Sequence, residues 1–127
     1  MTAEQLALVE QRTAAGRKSR ANRGMTEDAL LAAVRQLARY RSWMTYHTHY
    51  SRGSEAGWPD LVLLHTGQRR TLFIELKRED GKLTASQETW LTALAATGHE
   101  TGVWRPSDLP AVIPAVLGGR RTTWSPA

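Results

Sequence analysis

The chain has 127 residues, 41% of them hydrophobic, which suits one domain with a modest core. It contains no cysteine, which excludes disulfides and thiolate metal sites, and no stretch approaches the ~18 consecutive apolar residues of a membrane span. The Met-Thr-Ala-Glu-Gln start lacks a basic and then apolar leader, so a cytoplasmic protein is expected, and the formal charge of +5 predisposes it toward polyanions.

Five basic residues between Arg12 and Arg23 face only Glu4 and Glu10 within residues 1–24, which therefore hold +3 of the net +5. Such a run reads as a solvated segment, or as a nucleic-acid arm if the rest of the chain points to nucleic acid. Residues 3–14 fit a short helix. The basic stretch between Ala15 and Gly24 reads as a linker, which sets a boundary between an extension (1–24) and a domain (25–118).

From Thr26 the pattern changes. Thr26 suits an N-cap, Glu27 and Asp28 suit the positive end of the helix dipole, and Leu30, Val34 and Leu37 recur at helical spacing, predicting a helix over 26–40. Trp43 to His49 is β-branched and aromatic, predicting a strand, and Tyr50 to Trp58 a loop. Leu61 to Leu64 and Thr71 to Ile74 flank Thr66-Gly67-Gln68-Arg69 as a hairpin with Gly67-Gln68 at its turn. Their near-continuous hydrophobicity predicts strands covered on both faces. Thr84 and Gln87 form a Thr-x-x-Gln capping box for a helix carrying Leu91 and Leu94 and stopped at Gly98. Thr101 to Trp104 is a last strand, Ser107 a candidate cap for a short helix ending at Gly118-Gly119, and 119–127 a tail. The order helix, three strands, helix, strand predicts an α/β fold with a mixed four-stranded sheet, its third and fourth strands parallel through a helical crossover.

The hairpin register carries chemistry. It places Asp60 opposite Glu75, with Cβ atoms roughly 4.5–5.5 Å apart, and Lys77 on the same face two residues further on. Neighbouring carboxylates repel unless a cation lies between them, and a hard ion such as Mg²⁺ or Mn²⁺ accepts oxygen ligands while keeping positions for water and phosphate. Lys77 is placed to orient or deprotonate such a water, or to stabilise developing negative charge. The bland alternative, a strand start at Asp60 and a surface Glu75–Lys77 pair, fits poorly with charges that interrupt an apolar strand. Glu27 lies in phase with Leu30 and Val34, and Gln87 with Leu91 and Leu94. Each can serve its helix terminus and line the site as well.

Gly57-Trp58-Pro59-Asp60 followed by Phe73-Ile74-Glu75-Leu76-Lys77 resembles the PD-(D/E)xK nuclease pattern. The flanking text resembles its VRR-NUC branch: the acidic Glu27 early in the first helix, His47-Thr48-His49, a Gly-Lys-Leu-Thr loop at residues 81–84, Gln87 and Trp90, and Val-Trp-Arg-Pro-Ser-Asp at 103–108. The resemblance covers about 25–117 and leaves the basic extension outside the core pattern. It implies a restriction-endonuclease-like αβββαβ core and a Mg²⁺- or Mn²⁺-dependent DNA endonuclease. In that scheme Asp60, Glu75 and Glu27 are metal ligands, Lys77 is the catalytic lysine and Gln87 the helix glutamine. Small stand-alone members of the branch resemble phage or bacterial proteins that act on branched DNA, including four-way (Holliday) junctions, as homodimers. A flap- or end-acting nuclease, a restriction-like enzyme, or a non-cleaving binding module on the same fold remains open at this point. His49 and Arg52, in the loop entering Pro59-Asp60, are candidate phosphate contacts, with Arg78 and Lys82 counted beside them. His47 reads equally as an ordinary strand residue. His65 and His99 lack the spacing of a zinc site.

Overall fold

The computed structural model describes residues 2, 3, 5, 24–48 and 55–126. Of the expected helix over 3–14 only residues 3 and 5 are described, both helical; its remaining residues, the linker up to residue 23, His49 and Arg52 lie outside the described residues. Helix α1 (Glu27–Tyr40) begins where the sequence places it: Thr26 is extended and its hydroxyl accepts the Ala29 N–H at 3.1 Å. Strands β1 (Met44–His47), β2 (Leu61–His65) and β3 (Arg70–Leu76) follow, then helix α2 (Ala85–Ala96), strand β4 (Glu100–Trp104), a 3-10 turn (Pro106–Asp108) and helix α3 (Val112–Leu117). The sheet order is β1-β2-β3-β4, antiparallel except for the parallel β3–β4 pair that α2 connects. No described helix is long and apolar enough to cross a membrane.

The β2–β3 ladder pairs Leu61 with Ile74 and His65 with Arg70, the register expected from the sequence. The turn is wider than the expected two residues. Thr66–Arg69 form a four-residue turn in which Arg69 takes a positive φ of 54° and its N–H donates to the Thr66 carbonyl. Adding two residues symmetrically preserves which residues oppose each other, so the site geometry survives the difference.

The two sheet faces are unequal, which corrects the expectation of strands covered on both sides. On one face Leu61, Leu63, Leu72, Ile74 and Leu76 pack with Leu30, Val34 and Ala38 of α1 and Ile113, Val116 and Leu117 of α3, all at most 2% exposed. On the other face α2 covers β3 and β4, while Phe73 and Val62 stay half-buried and Leu64, Met44 and Tyr46 are exposed. Helix α2 starts with the expected Thr84–Gln87 capping box and ends through Thr97 into Gly98 at φ 87°, a conformation that a side chain would strain.

One reading at the C-terminal end is corrected. Ser107 caps no helix: it lies in the 3-10 turn, and α3 starts later, from Ala111. The residues read as a tail are docked along β4. Thr101 N–H donates to the Thr122 carbonyl (3.3 Å), and Trp124 N–H donates to Thr101 Oγ1 (3.0 Å).

Candidate active site

Pro59 ends the approach to β2, and Asp60 stands one residue ahead of the ladder, at the position the register sets opposite Glu75. The Asp60 side chain turns back onto β3, where Oδ2 accepts the Leu76 N–H at 2.8 Å. The carboxylate is thereby fixed by the strand that carries Glu75. Its backbone is fixed from the other side, because Thr48 N–H donates to the Asp60 carbonyl (2.8 Å) and Thr48 Oγ1 to that of Pro59 (3.0 Å). Thr48, Asp60 and Glu75 thus form a row across three strands.

Glu75 is only 2% exposed although it is an acid on a sheet face. Burial, then the closeness of the Asp60 carboxyl and its charge, push its pKa up to about 9. Lys77 pulls the other way, and Glu27 adds a small further repulsion. Glu75 Oε1 accepts a 3.0 Å hydrogen bond from Gln87 Nε2. No N–H or O–H donor among the described residues reaches the buried Oε2.

Gln87 performs both functions that its position suggested. Its Oε1 accepts the Thr84 N–H at 2.9 Å, completing the capping box, which leaves Nε2 to face Glu75. The cap therefore sets the orientation of the amide toward the carboxyl. Lys77 leaves β3 with its N–H donated to the Trp104 carbonyl (3.0 Å). The turn after it is gripped by Arg105, whose Nη1 donates to the carbonyls of Arg78 (2.8 Å), Glu79 (3.3 Å) and Gly81 (2.5 Å). Ser107 N–H adds a bond to Glu79 Oε2, and Asp108 caps the Arg105 N–H. The Trp-Arg-Pro-Ser-Asp segment thus holds the loop that follows the lysine.

Gly57 explains how the approach to Asp60 fits against α2. It has φ 90°, and a Cβ there would collide with the backbone of Ser86 and Gln87. Only glycine lets this loop lie on the first turn of α2, bringing Trp58 against Trp90 and Phe73 edge to face, with centroids 5.1 and 5.7 Å away. Trp90 is half-buried, with Nε1 donating to the Ala56 carbonyl. Trp104 and Trp43 are the tryptophans of the core, 2% and 3% exposed.

Asp60, Glu75, Lys77 and Gln87 are therefore brought together. Glu27 is exposed at the start of α1 and is felt at Glu75 only through its charge. Among the described residues no three His, Asp or Glu side chains form a metal cage by themselves. What the site does offer a cation is two adjacent carboxyls, one with an orphaned buried oxygen. That donor set fits a Mg²⁺-like ion, which binds through one or two carboxylates and keeps several waters. Arg78 and Lys82 are exposed on the loop after Lys77. His47 alternates onto the α1 face, away from Asp60. His65 is structural: Nδ1 accepts the Gln68 N–H, so Nε2 carries the proton and donates to the Arg41 carbonyl.

Sequence reasoning missed the Arg105 clip, because a cation that binds carbonyls 24 to 27 residues away leaves no periodic trace. Neither the curated proteins nor the solved structures compared with the chain give a match. The profile of the VRR-NUC domain matches residues 2–107, taking in the N-terminal stretch that the motif resemblance alone left aside. With the profile spanning most of the chain and the carboxylates, lysine and glutamine assembled on this α/β frame, the chain belongs to the VRR-NUC domain family, and its function is that of a nuclease.

Proposed function

We propose that the protein is a Mg²⁺- or Mn²⁺-dependent DNA endonuclease that acts on branched DNA such as four-way junctions, as a homodimer. The observation that carries the metal-dependent reading is the Glu75 carboxyl, buried beside Asp60 with one oxygen left without a donor. An acid held in this way is costly unless it is protonated or faces a cation. Asp60 and Glu75 would hold the metal, with Glu27 approaching from the start of α1. When bound, the ion lowers the pKa of a coordinated water and stabilises charge on a phosphoryl oxygen.

The remaining work belongs to the chain's own groups. Gln87 keeps Glu75 oriented through its amide N–H. Lys77, the cation that acts on Glu75, is placed to orient the attacking water or to offset negative charge growing on the phosphate. Its backbone is clamped by Trp104 and its following turn by Arg105, which favours a fixed approach of the ammonium group. Arg78 and Lys82, with His49 and Arg52, are proposed to contact the DNA backbone, in keeping with a chain of net charge +5. Branched DNA and the homodimer rest on the likeness to small stand-alone members of the family, and two symmetric sites suit a two-fold junction.

The test is cleavage of a four-way junction, a flap, a nicked duplex and a linear duplex in Mg²⁺, Mn²⁺ or EDTA, with Lys77→Ala in parallel. The expected result is metal-dependent cutting, strongest on a branched substrate and reduced by at least about 10²-fold in the variant. Cutting that persists in EDTA or in Lys77→Ala overturns the chemistry. Equal cutting of all four substrates overturns the branch preference.

A further inference from the structure

An open pocket of about 260 Å³ lies on the α2 face of the sheet, lined by Tyr46, Thr48, Glu55, Trp58 and Trp90. None of these residues has a part in the chemistry proposed above. The pocket nevertheless adjoins the site. Thr48 donates both its N–H and its hydroxyl to the Pro59-Asp60 backbone, Trp58 lies two residues before Asp60, and Trp90 stands one helical turn after Gln87. Tyr46 belongs to the neighbouring row of the sheet, opposite Val62, which in turn opposes Phe73.

The lining chemistry selects among ligands. Three aromatic side chains offer ring faces, and the Trp58–Trp90 pair is locked edge to face by the Trp90 Nε1 bond to Ala56. Tyr46 is 63% exposed, which leaves its ring open to a stacking partner. Among the described residues of the lining the one that is charged is an acid, Glu55, which disfavours a phosphate and accepts hydrogen bonds from amino groups. The volume lies below the ~300 Å³ lower end of drug-sized pockets and suits a single flat ring system.

We propose that this pocket receives an unpaired nucleobase of the nucleotide next to the scissile phosphate. The base stacks against the aromatic wall, with Glu55 accepting from an exocyclic amino group. The inference deepens the nuclease reading and rests on it. It supplies a reason for acting where strands branch or end, since a base there leaves the stack at lower cost.

The experiment measures binding of the full chain in EDTA, where no cutting is expected, to oligo-dA, oligo-dT and an all-abasic strand of the same length and charge. Wild type is expected to bind oligo-dA about 5- to 150-fold more tightly than the abasic strand, with quenching of tryptophan fluorescence. Tyr46→Ala, an exposed position, is expected to shrink that ratio several-fold. Glu55→Gln is expected to diminish the preference for dA over dT. Equal affinity of wild type for oligo-dA and the abasic strand overturns the proposal. So does a Tyr46→Ala protein that sediments as a smaller species yet keeps full base dependence, which would assign Tyr46 to contacts between copies. Cleavage of a four-way junction in Mg²⁺, assayed on the same wild-type preparation, separates the two readings. Cutting with base-independent binding sinks the pocket alone, and base-dependent binding without cutting sinks the junction-cleavage reading alone.

Discussion

Strand β3 buries a charged side chain at each end, and the two ends are handled in opposite ways. At its start, Arg70 is 5% exposed and every direction of its guanidinium is answered. Nε and Nη2 grip the two Glu100 oxygens at 2.9 and 2.7 Å, Nη1 donates to Gln68 Oε1 and the Val116 carbonyl, and Nη2 also reaches the Arg120 carbonyl. The Trp43 ring lies 5.3 Å from the guanidinium carbon. Burial pushes the Glu100 carboxyl up, but the Arg70 hydrogen bonds and charge outweigh it, so the net shift is downward. At the other end Glu75 faces a second acid, keeps one oxygen without a donor and is shifted far upward. A buried charge that is fully paired holds parts of the fold together. One left incomplete is where a metal ion is proposed above to bind.

Breaking the paired end should have the largest effect on stability. Arg70→Ala leaves Glu100 with only Arg121 and the Thr122 N–H and frees the Val116 and Arg120 carbonyls, with an expected loss of roughly 3 kcal/mol, measured by urea unfolding. A loss below about 1 kcal/mol would show that the pairing holds little of the fold together.

The incomplete end should respond to pH and metal instead. The pKa of Glu75 in the folded chain lies near 9, above its ordinary 4.5. Its contribution to stability is therefore fully present below pH 4.5 and is lost as pH rises through about 9. In EDTA the Tm is expected to fall across that window. Glu75→Gln should flatten the fall, and Mg²⁺ should raise the wild-type Tm more at pH 8 than at pH 5. A wild-type Tm insensitive to Mg²⁺ at both values would contradict the comparison.

Gly57→Ala tests the seam that brings the loop to α2. Positive φ and collision with the Ser86–Gln87 backbone predict a cost of about 1–3 kcal/mol, read by thermal melting, with lower cleavage as Asp60 is displaced. The smallest expected change in stability is that of Gln87→Ala. Loss of the capping interaction costs about 1 kcal/mol, while activity falls out of proportion because Glu75 loses its amide donor. Gln87→Glu repels Glu75, so a variant as active as wild type would show that the amide does not orient it.

Most of the frame was legible because local rules decide it. Thr26 and Thr84 begin helices through bonds made within three residues, and the β2–β3 register follows from a short turn that keeps Asp60 opposite Glu75 even when it widens. What escaped reading is polar and long-range. Arg70 shares a face with Leu72 and Ile74, a phase that could have marked it as buried, but its partner is 30 residues away. The pocket walls come from β1, three positions between β1 and β2, and α2, and no spacing within one segment announces their meeting. Glu27 was readable as the helix acid, yet the described structure leaves it exposed, reaching Glu75 only by its field.

The residues past Gly119 have a consequence for how the chain behaves in a crowded solution. β4 is a border strand, and border strands invite pairing by foreign chains wherever their amides point outward. Thr122 and Trp124 occupy Thr101, on that border, with bonds from the same chain. A span outside the catalytic set therefore covers part of an open sheet edge, and trimming it is expected to expose the Thr101 amide to pairing by other chains.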